Sequence, residues 1–268
     1  MIQRNNNLTV LPFYSKLEHQ HRFKPYAFGN VYPLIADTMS LMPFQVSIKG
    51  SILTGNILTS AQLVCINTSN ERSDITNALN RVLRVDNSTA ENIIVYSGNA
   101  QLNAAPGQYY IKLVISTGEI LYSEIITLVN NITDYLKIEW WDEENLVFDS
   151  GTIIYNGYKN TLYLDTDIGK PEYKFEEEGK ERDGYFFAEK QLSEKVYKFV
   201  FLAPEFVCDA FRFVRLSDNI VVHKNGIEYT VDSLLAEVNW QDQGDLADVS
   251  VEFRTGTAVK KIAAAWHK

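Results

Sequence analysis

The stretch Val196-Tyr197-Lys198-Phe199-Val200-Phe201-Leu202, followed by Pro204 to Arg215 and then by Asn225-Gly226, decides how this chain folds. Tyr197, Phe199 and Phe201 alternate with Val196, Val200 and Leu202, so the first run reads as a strand with apolar residues on both faces. Both faces are therefore expected to be covered. Pro204 suits the first position of a helix, where its missing N–H has no partner to lose. Phe206, Val207, Ala210, Phe211, Phe213 and Val214 recur at three- and four-residue spacing, which predicts a helix over 204–216 with one broad apolar stripe. Such a short helix is not stable alone, so it must lie on a sheet.

Further along, Asn225-Gly226 separates Ile220–Lys224 from Ile227–Val231. A type I′ turn needs two residues with positive φ, and Asn-Gly supplies them, so a hairpin is predicted here with His223 opposite Glu228. Leu234, Ala236, Val238 and Trp240, and then Ala247, Val249, Val251 and Phe253, alternate with polar residues across a turn at Gln241–Asp245. This predicts an antiparallel pair with one wet face.

The 268 residues exceed one average domain. An apolar content of 46% supports a sizeable core, and 12% aromatics lean towards β structure and interfaces. The net charge of −9 opposes a grip on nucleic-acid phosphates, although an acidic face would let DNA pass without sticking. Cys65 and Cys208 stand far apart within apolar runs and read as buried free thiols. The start of the chain has no apolar run typical of a leader, and nowhere do 18 apolar residues follow one another, so no membrane association is expected.

Three segments are predicted. Residues 1–40 show neither the helix nor the strand period, and they read as an extended arm bearing Phe13, Tyr14, Phe23, Tyr26, Phe28 and Tyr32. Those six aromatics are the candidate subunit interface, with the arm expected on a neighbouring subunit and the alternative that it folds back on its own domain. His19 and His21 fall in it as His-x-His, without a third metal ligand nearby. Residues 41–130 read as an immunoglobulin-like β-sandwich, most clearly at Pro106-Gly107-Gln108-Tyr109-Tyr110 leading through Ile115, the turn Ser116–Glu119 and Ile120–Leu128. Ser73–Arg84 could carry a turn or two of helix through Ile75, Leu79, Val82 and Leu83. Residues 131–268 read as a second β-domain, opening on Tyr135–Trp141, an acidic turn and a return strand to Phe148.

No chemistry-bearing constellation emerges. Asp165-Thr166-Asp167-Ile168-Gly169 lacks the further ligands of a calcium loop and reads as an acidic turn. Glu176–Gly184 is a charge run expected at a solvated hairpin tip, where paired carboxylates are not held in a cleft as acid–base work requires. No Gly-x-Ser-x-Gly, His-Glu-x-x-His or Cys-x-x-Cys frames a nucleophile or a metal. No catalytic residue, cofactor or metal is assigned.

The passage Glu176–Phe186, with Lys190–Tyr197 and Ala203–Ala210, resembles structural virion proteins of tailed phages, closest to those of Bacteroidota phages including the crAss-like group. The likeness covers about residues 135–262. It implies a non-enzymatic ring-forming tail, neck-ring or baseplate subunit, located in the virion and assembled in the host cytoplasm. It also implies a second domain of the tail-tube and distal-tail kind, a β-sandwich or split barrel with one packed helix. The implied partners are copies of itself, other tail or neck proteins, and DNA passing through a lumen without specific binding. The competing expectation is a carbohydrate-binding or adhesin module that uses Trp140, Trp141, Tyr155 and Tyr158 as exposed stacking platforms.

Overall fold

A computed structural model describes residues 9–15, 32, 34–39, 42–49, 58–66, 72–85, 90–96, 104–144, 146–147, 153–154, 158–240, 246–256 and 259–262. Over these the chain is mainly β, with one α-helix. The first half contributes β1 (Phe13–Tyr14), β2 (Leu34–Asp37), β3 (Phe44–Lys49), β4 (Leu58–Cys65), β5 (Arg72–Asp74), β6 (Leu79–Val85), β7 (Ala90–Tyr96), β8 (Gly107–Ile115), β9 (Ile120–Ser123) and β10 (Ile126–Val129). A three-stranded sheet runs β3-β7-β6. The larger sheet carries β9 and β10 along one side of β8, with β4 and then β5 on its other side.

The hairpin β8–β9 forms as its residues predict. Tyr109, Ile111, Leu113 and Ile115 alternate inward, and the turn closes with the Gly118 N–H donating to the Ile115 carbonyl at 2.9 Å. The expected strand 120–128 is interrupted at Glu124 and Ile125. There the Ser123 hydroxyl accepts from the Ile111 N–H at 2.8 Å and donates to the Glu124 carbonyl at 2.7 Å. The break lets two N-terminal pieces dock on the outer edge. β1 runs antiparallel to β9, and β2 runs parallel to β10.

This alters the expectation for residues 1–40. Val10, Leu11, Phe13, Leu34 and Ala36 all sit in the chain's own core, and Phe13 packs on Phe44 with ring centroids 5.0 Å apart. An edge with unpaired main-chain groups takes any extended segment that can satisfy them. Here β1 and β2 fill that role. Ser73–Arg84 is also corrected: β5, a 3-10 turn at Thr76–Ala78 and β6 replace the expected helix. The ladder of β6 on β7 overrides a short apolar spacing.

The second half contributes β11 (Leu136–Trp141), β12 (Leu146–Val147), β13 (Ile153–Ile154), β14 (Asn160–Leu164), β15 (Glu172–Arg182), β16 (Tyr185–Ala203), α1 (Glu205–Phe211), β17 (Asn219–Lys224), β18 (Ile227–Trp240), β19 (Ala247–Thr255) and β20 (Val259–Ile262). Antiparallel pairs give the order β14-β11-β17-β18-β19-β16-β15, with β20 also on β16. The predicted return strand is not beside β11: β12 pairs antiparallel with β13 in a separate two-stranded sheet. β18 belongs to two pairings. Ile227–Thr230 lies on β17, and after a register shift between Val231 and Ser233 the strand continues along β19 to Trp240.

Helix α1 is shorter than 204–216. Pro204 is its N-cap with extended backbone (φ −73°, ψ 164°), and a 3-10 turn follows at Val214–Leu216. α1 places Phe211 between Phe201 (5.8 Å) and Trp140 (6.4 Å), over the fully buried Val249, Val251 and Phe253. Burial of an aromatic of this size contributes roughly 1.5–3 kcal/mol. The buried cluster runs from Val10 to Phe253 and joins the two halves, with the Tyr158 hydroxyl donating to the Pro43 carbonyl at 3.2 Å.

Candidate interaction surface

The turn chemistry that was legible at Asn225-Gly226 occurs twice. Asn225 and Gly226 have φ of 52° and 76°, and Asp183 and Gly184 have φ of 54° and 79°. At the second turn the consequence is larger. The charge run is not a tip but strand β15, and only Asp183-Gly184 turns, so β15 and β16 form a ribbon of 11 paired positions. At about 3.3 Å per residue this ribbon is roughly 35 Å long. Before Val196, β16 is not paired with β19, and among the described residues only β20, at Lys190–Ser193, pairs with the ribbon from outside it.

Charges on the ribbon and the adjoining outer sheet face pair across strands. Lys180 meets Glu189 (2.9 Å), Lys190 meets Glu178 (3.2 Å), and Arg254 meets Glu194 (2.6 Å). Glu252 accepts from Lys174 at 2.6 Å and lies 3.5 Å from Lys198. Those cations hold its carboxyl below the usual carboxylate value. Exposed pairs of this kind contribute about 0–1 kcal/mol each, so they set the ribbon's register more than its stability.

Between the charges stand exposed aromatics, of which Tyr173 has Lys195 Nζ 5.9 Å from its ring centre. Phe175 is 73% exposed, and Tyr173, Tyr185 and Phe186 are also exposed. Sequence reasoning missed them as a surface. The signal was the alternation Glu172-Tyr173-Lys174-Phe175-Glu176, which is a strand period hidden in an acidic run.

The expectation that Val196–Leu202 is covered on both faces is corrected. Phe199 and Phe201 are buried, whereas Val200 and Leu202 on the other face are exposed. The alternation on β18 also fades. Leu234 is buried, Ala236 is half-buried, and Val238 and Trp240 are exposed beside α1. On β19, Ala247, Val249, Val251 and Phe253 are all buried as predicted.

Of the six arm aromatics, Phe13 is buried and Tyr14 donates to Glu124 Oε2 at 3.4 Å. Tyr32 packs edge-on against Phe206 of α1 at 6.5 Å, and burial pushes its hydroxyl pKa well up. Phe23, Tyr26 and Phe28, like His19 and His21, lie outside the described residues. The structure does not gather the six into one outward surface among the residues it describes.

The stacking-platform expectation is corrected at two of its four residues. Trp140 and Tyr158 are 1% exposed and belong to the core. Trp141 is half-buried with Lys159 Nζ 3.8 Å from its ring centre, and Tyr155 lies outside the described residues.

On the outer face of β11 and β17, His223 stands opposite Glu228 as predicted, but its shorter contact is Nε2 to Glu139 Oε2 at 2.9 Å. Burial works to raise the Glu139 pKa, while Lys137, Lys159 and His223 together bring it below the usual value. Burial, with the same Glu139 charge and that of Asp37 adding to it, pushes the Tyr163 hydroxyl up to about 12. These groups lie on a sheet face and tie strands together. Asp167 of the acidic turn pairs with Lys224 at 2.8 Å, and among the described residues no group of three metal-ligating side chains occurs.

Cys65 and Cys208 are buried and in no disulfide, as expected, and burial with the nearby Asp209 charge raises the Cys208 thiol to about 11. Among the described residues no helix is long and apolar enough to cross a membrane. Fold and surface define a mainly antiparallel β protein with one packed helix, whose uncovered features are strand edges and aromatics. Comparison with family models, with curated proteins and with solved structures finds no match.

Proposed function

We propose that this chain is a non-enzymatic structural component of a tailed-phage virion, a tail, neck or baseplate subunit that assembles with copies of itself into a ring. The observation that carries the assembly reading is the β15–β16 ribbon, which exposes Tyr173, Phe175, Tyr185 and Phe186. Large apolar side chains left exposed at the base and the tip of a projecting element favour an interaction role over a core one. The virion reading rests on the resemblance of residues 135–262, and an acidic chain with a net charge of −9 suits a ring through which DNA passes without binding.

The finer fold reading has its own support. Strand order β2-β10-β8-β4-β5 beside β3-β7-β6, with β2 parallel to β10, is compatible with an immunoglobulin-like sandwich in the first half. In the second half, the passage of β18 from β17 to β19 under a single helix supports a sandwich or split barrel of the tail-tube and distal-tail kind. Negative-stain imaging of the purified full chain tests the proposal. Closed rings are expected. Isolated small particles at every concentration reached would contradict it.

A further inference from the structure

The sheet that bears the ribbon has a second unsatisfied boundary. From Leu234 to Trp240, β18 pairs with β19 on one side, and among the described residues no strand pairs with the other. The segment Leu234-Leu235-Ala236-Glu237-Val238-Asn239-Trp240 holds one charge, no lysine and no proline. Natural proteins blunt open edges with those residues, because bare N–H and C=O groups recruit another strand. This edge is not blunted: Leu235 is 45% exposed and Trp240 is 49% exposed.

Two cavities flank the same edge. One, of about 400 Å³, opens where β18 leaves β17, beside Arg215, Val231 and Leu235. The other, of about 440 Å³, lies between α1 and β18 and is lined by Glu205, Cys208, Asp209, Arg212, Val238 and Trp240. Together with the bare strand they make a groove for an extended segment with alternating side chains.

Resting on the assembly reading above, we infer that this groove receives β15 of a second copy, so that the sheet continues from one subunit into the next. Three features of the sheet fit β15 to it. First, β15 is the opposite boundary of the same four strands, and among the described residues its outer edge is also unpaired. Second, direction matches. β15, β16, β19 and β18 alternate antiparallel, so β15 runs opposite to β18. β15 lies level with Tyr185–Val196 of β16, whereas Leu234–Trp240 lies level with Tyr197–Ala203, so a rotation about an axis inclined to the strands brings β15 of the next copy beside β18 in the antiparallel sense.

Third, the faces match. Tyr173 pairs with Lys195 and Phe175 with Ser193, on the face that continues through Phe199 and Val251 to Ala236, and through Phe201 and Val249 to Val238. In a continuous sheet Tyr173 and Phe175 point to the side where Val238, Trp240 and α1 leave the second cavity. Arg212, held by Asp209 at 3.6 Å, borders the groove on that side, where Glu177 of the acidic run shares the face of Phe175 while Glu176 and Glu178 point to the other; Arg215 lies at the first cavity with Asp218, Asp232 and Glu252. Glu205 and Asp209 stay on the α1 side of the second cavity. The contact is heterologous, edge to opposite edge, the kind that generates a ring when the rotation between copies closes.

Sedimentation velocity on the full chain tests this with Phe175→Arg on β15, Val238→Arg on β18 and Met39→Arg as a control elsewhere on the surface. All three positions are exposed, so each variant is expected to keep the wild-type circular dichroism and Tm; Trp240→Glu replaces Val238→Arg if that one does not. Loss of a central apolar anchor weakens self-association by about 30-fold or more, and this is expected of F175R and V238R but not of M39R. Mixing F175R with V238R leaves one intact β15 and one intact β18, so the mixture is expected to form heterodimers that neither variant forms alone. If the wild type assembles and neither variant weakens it, the edge pairing is overturned while ring assembly stands. If only V238R weakens it, two β18 edges pair with each other and the inference is again overturned. A wild type that stays monomeric overturns both readings.

Discussion

Replacing Phe211 by alanine removes the side chain that joins the two parts of the second sheet. Phe211 is 3% exposed, with its ring 5.8 Å from Phe201 on β16 and 6.4 Å from Trp140 on β11. Truncating a buried phenylalanine costs about 3–5 kcal/mol, from lost transfer energy and from the void left behind. The upper part of that range applies here, because the seven-residue α1 has no stability of its own with which to rearrange. With a urea slope near 3 kcal/mol/M, expected for a chain of this size, the midpoint falls by roughly 1.3–1.7 M. Tryptophan fluorescence in a urea titration reads it directly, since Trp140 reports on the same contact. Phe206→Ala, which loses a half-buried ring on Tyr32, is expected to cost less. A Phe211→Ala midpoint within 0.3 M of wild type, a difference of only about 1 kcal/mol, would refute the role given to the helix.

Other outcomes follow from single sites. Burial raises the Asp142 pKa, the Asp218 N–H opposes this and the Asp218 charge adds to it, so the ionised carboxylate is penalised once pH rises through its folded value. Asp142→Asn is therefore expected to match or exceed wild-type stability at pH 7, within about 1 kcal/mol, with the difference vanishing near pH 3; a clear loss at pH 7 in thermal unfolding would contradict this. Glu139 has the opposite sign, because its folded pKa is depressed. Its contribution is present above the unfolded value of about 4.3 and is lost as pH falls, so the wild-type advantage over Glu139→Gln should shrink towards pH 3 in the same assay. Gly226→Ala places a Cβ at φ 76° and should cost about 1–2 kcal/mol in urea unfolding. Cys65 and Cys208 are expected to resist a thiol reagent in the native protein at pH 8 and to react fully in denaturant; rapid native labelling would show that they are not buried.

What could be read from the sequence divides along the range of the forces involved. Asn225-Gly226 and Ser116–Glu119 were legible because turn geometry depends on two to four residues, and the inward alternation of Ala247 to Phe253 was legible because one face is fully covered. Leu79–Val85 was misread because its apolar spacing suits a helix locally, while its ladder to β7 is a long-range event. Val200 and Leu202 match Val196 in chemistry, yet Val196 is buried and they are exposed, which only the extent of the neighbouring elements decides. The ribbon was hidden for a related reason. Glutamates dominate Glu176–Glu181, and the cross-strand partners that hold them in a strand, among them Gln191, Lys190 and Glu189, lie up to 14 positions away. Phe13 and Leu34 could not be placed from sequence, since the edge they fill is made by β9 and β10, about 90 to 110 residues later.

The most direct measurement is the mass distribution of the purified full chain by mass photometry across a dilution series. Discrete multiples of 30.6 kDa that end at one closed oligomer, and that lose population on dilution, are predicted. A single 30.6 kDa species throughout would contradict the claim that the uncovered ribbon and strand edge serve to join copies of this protein.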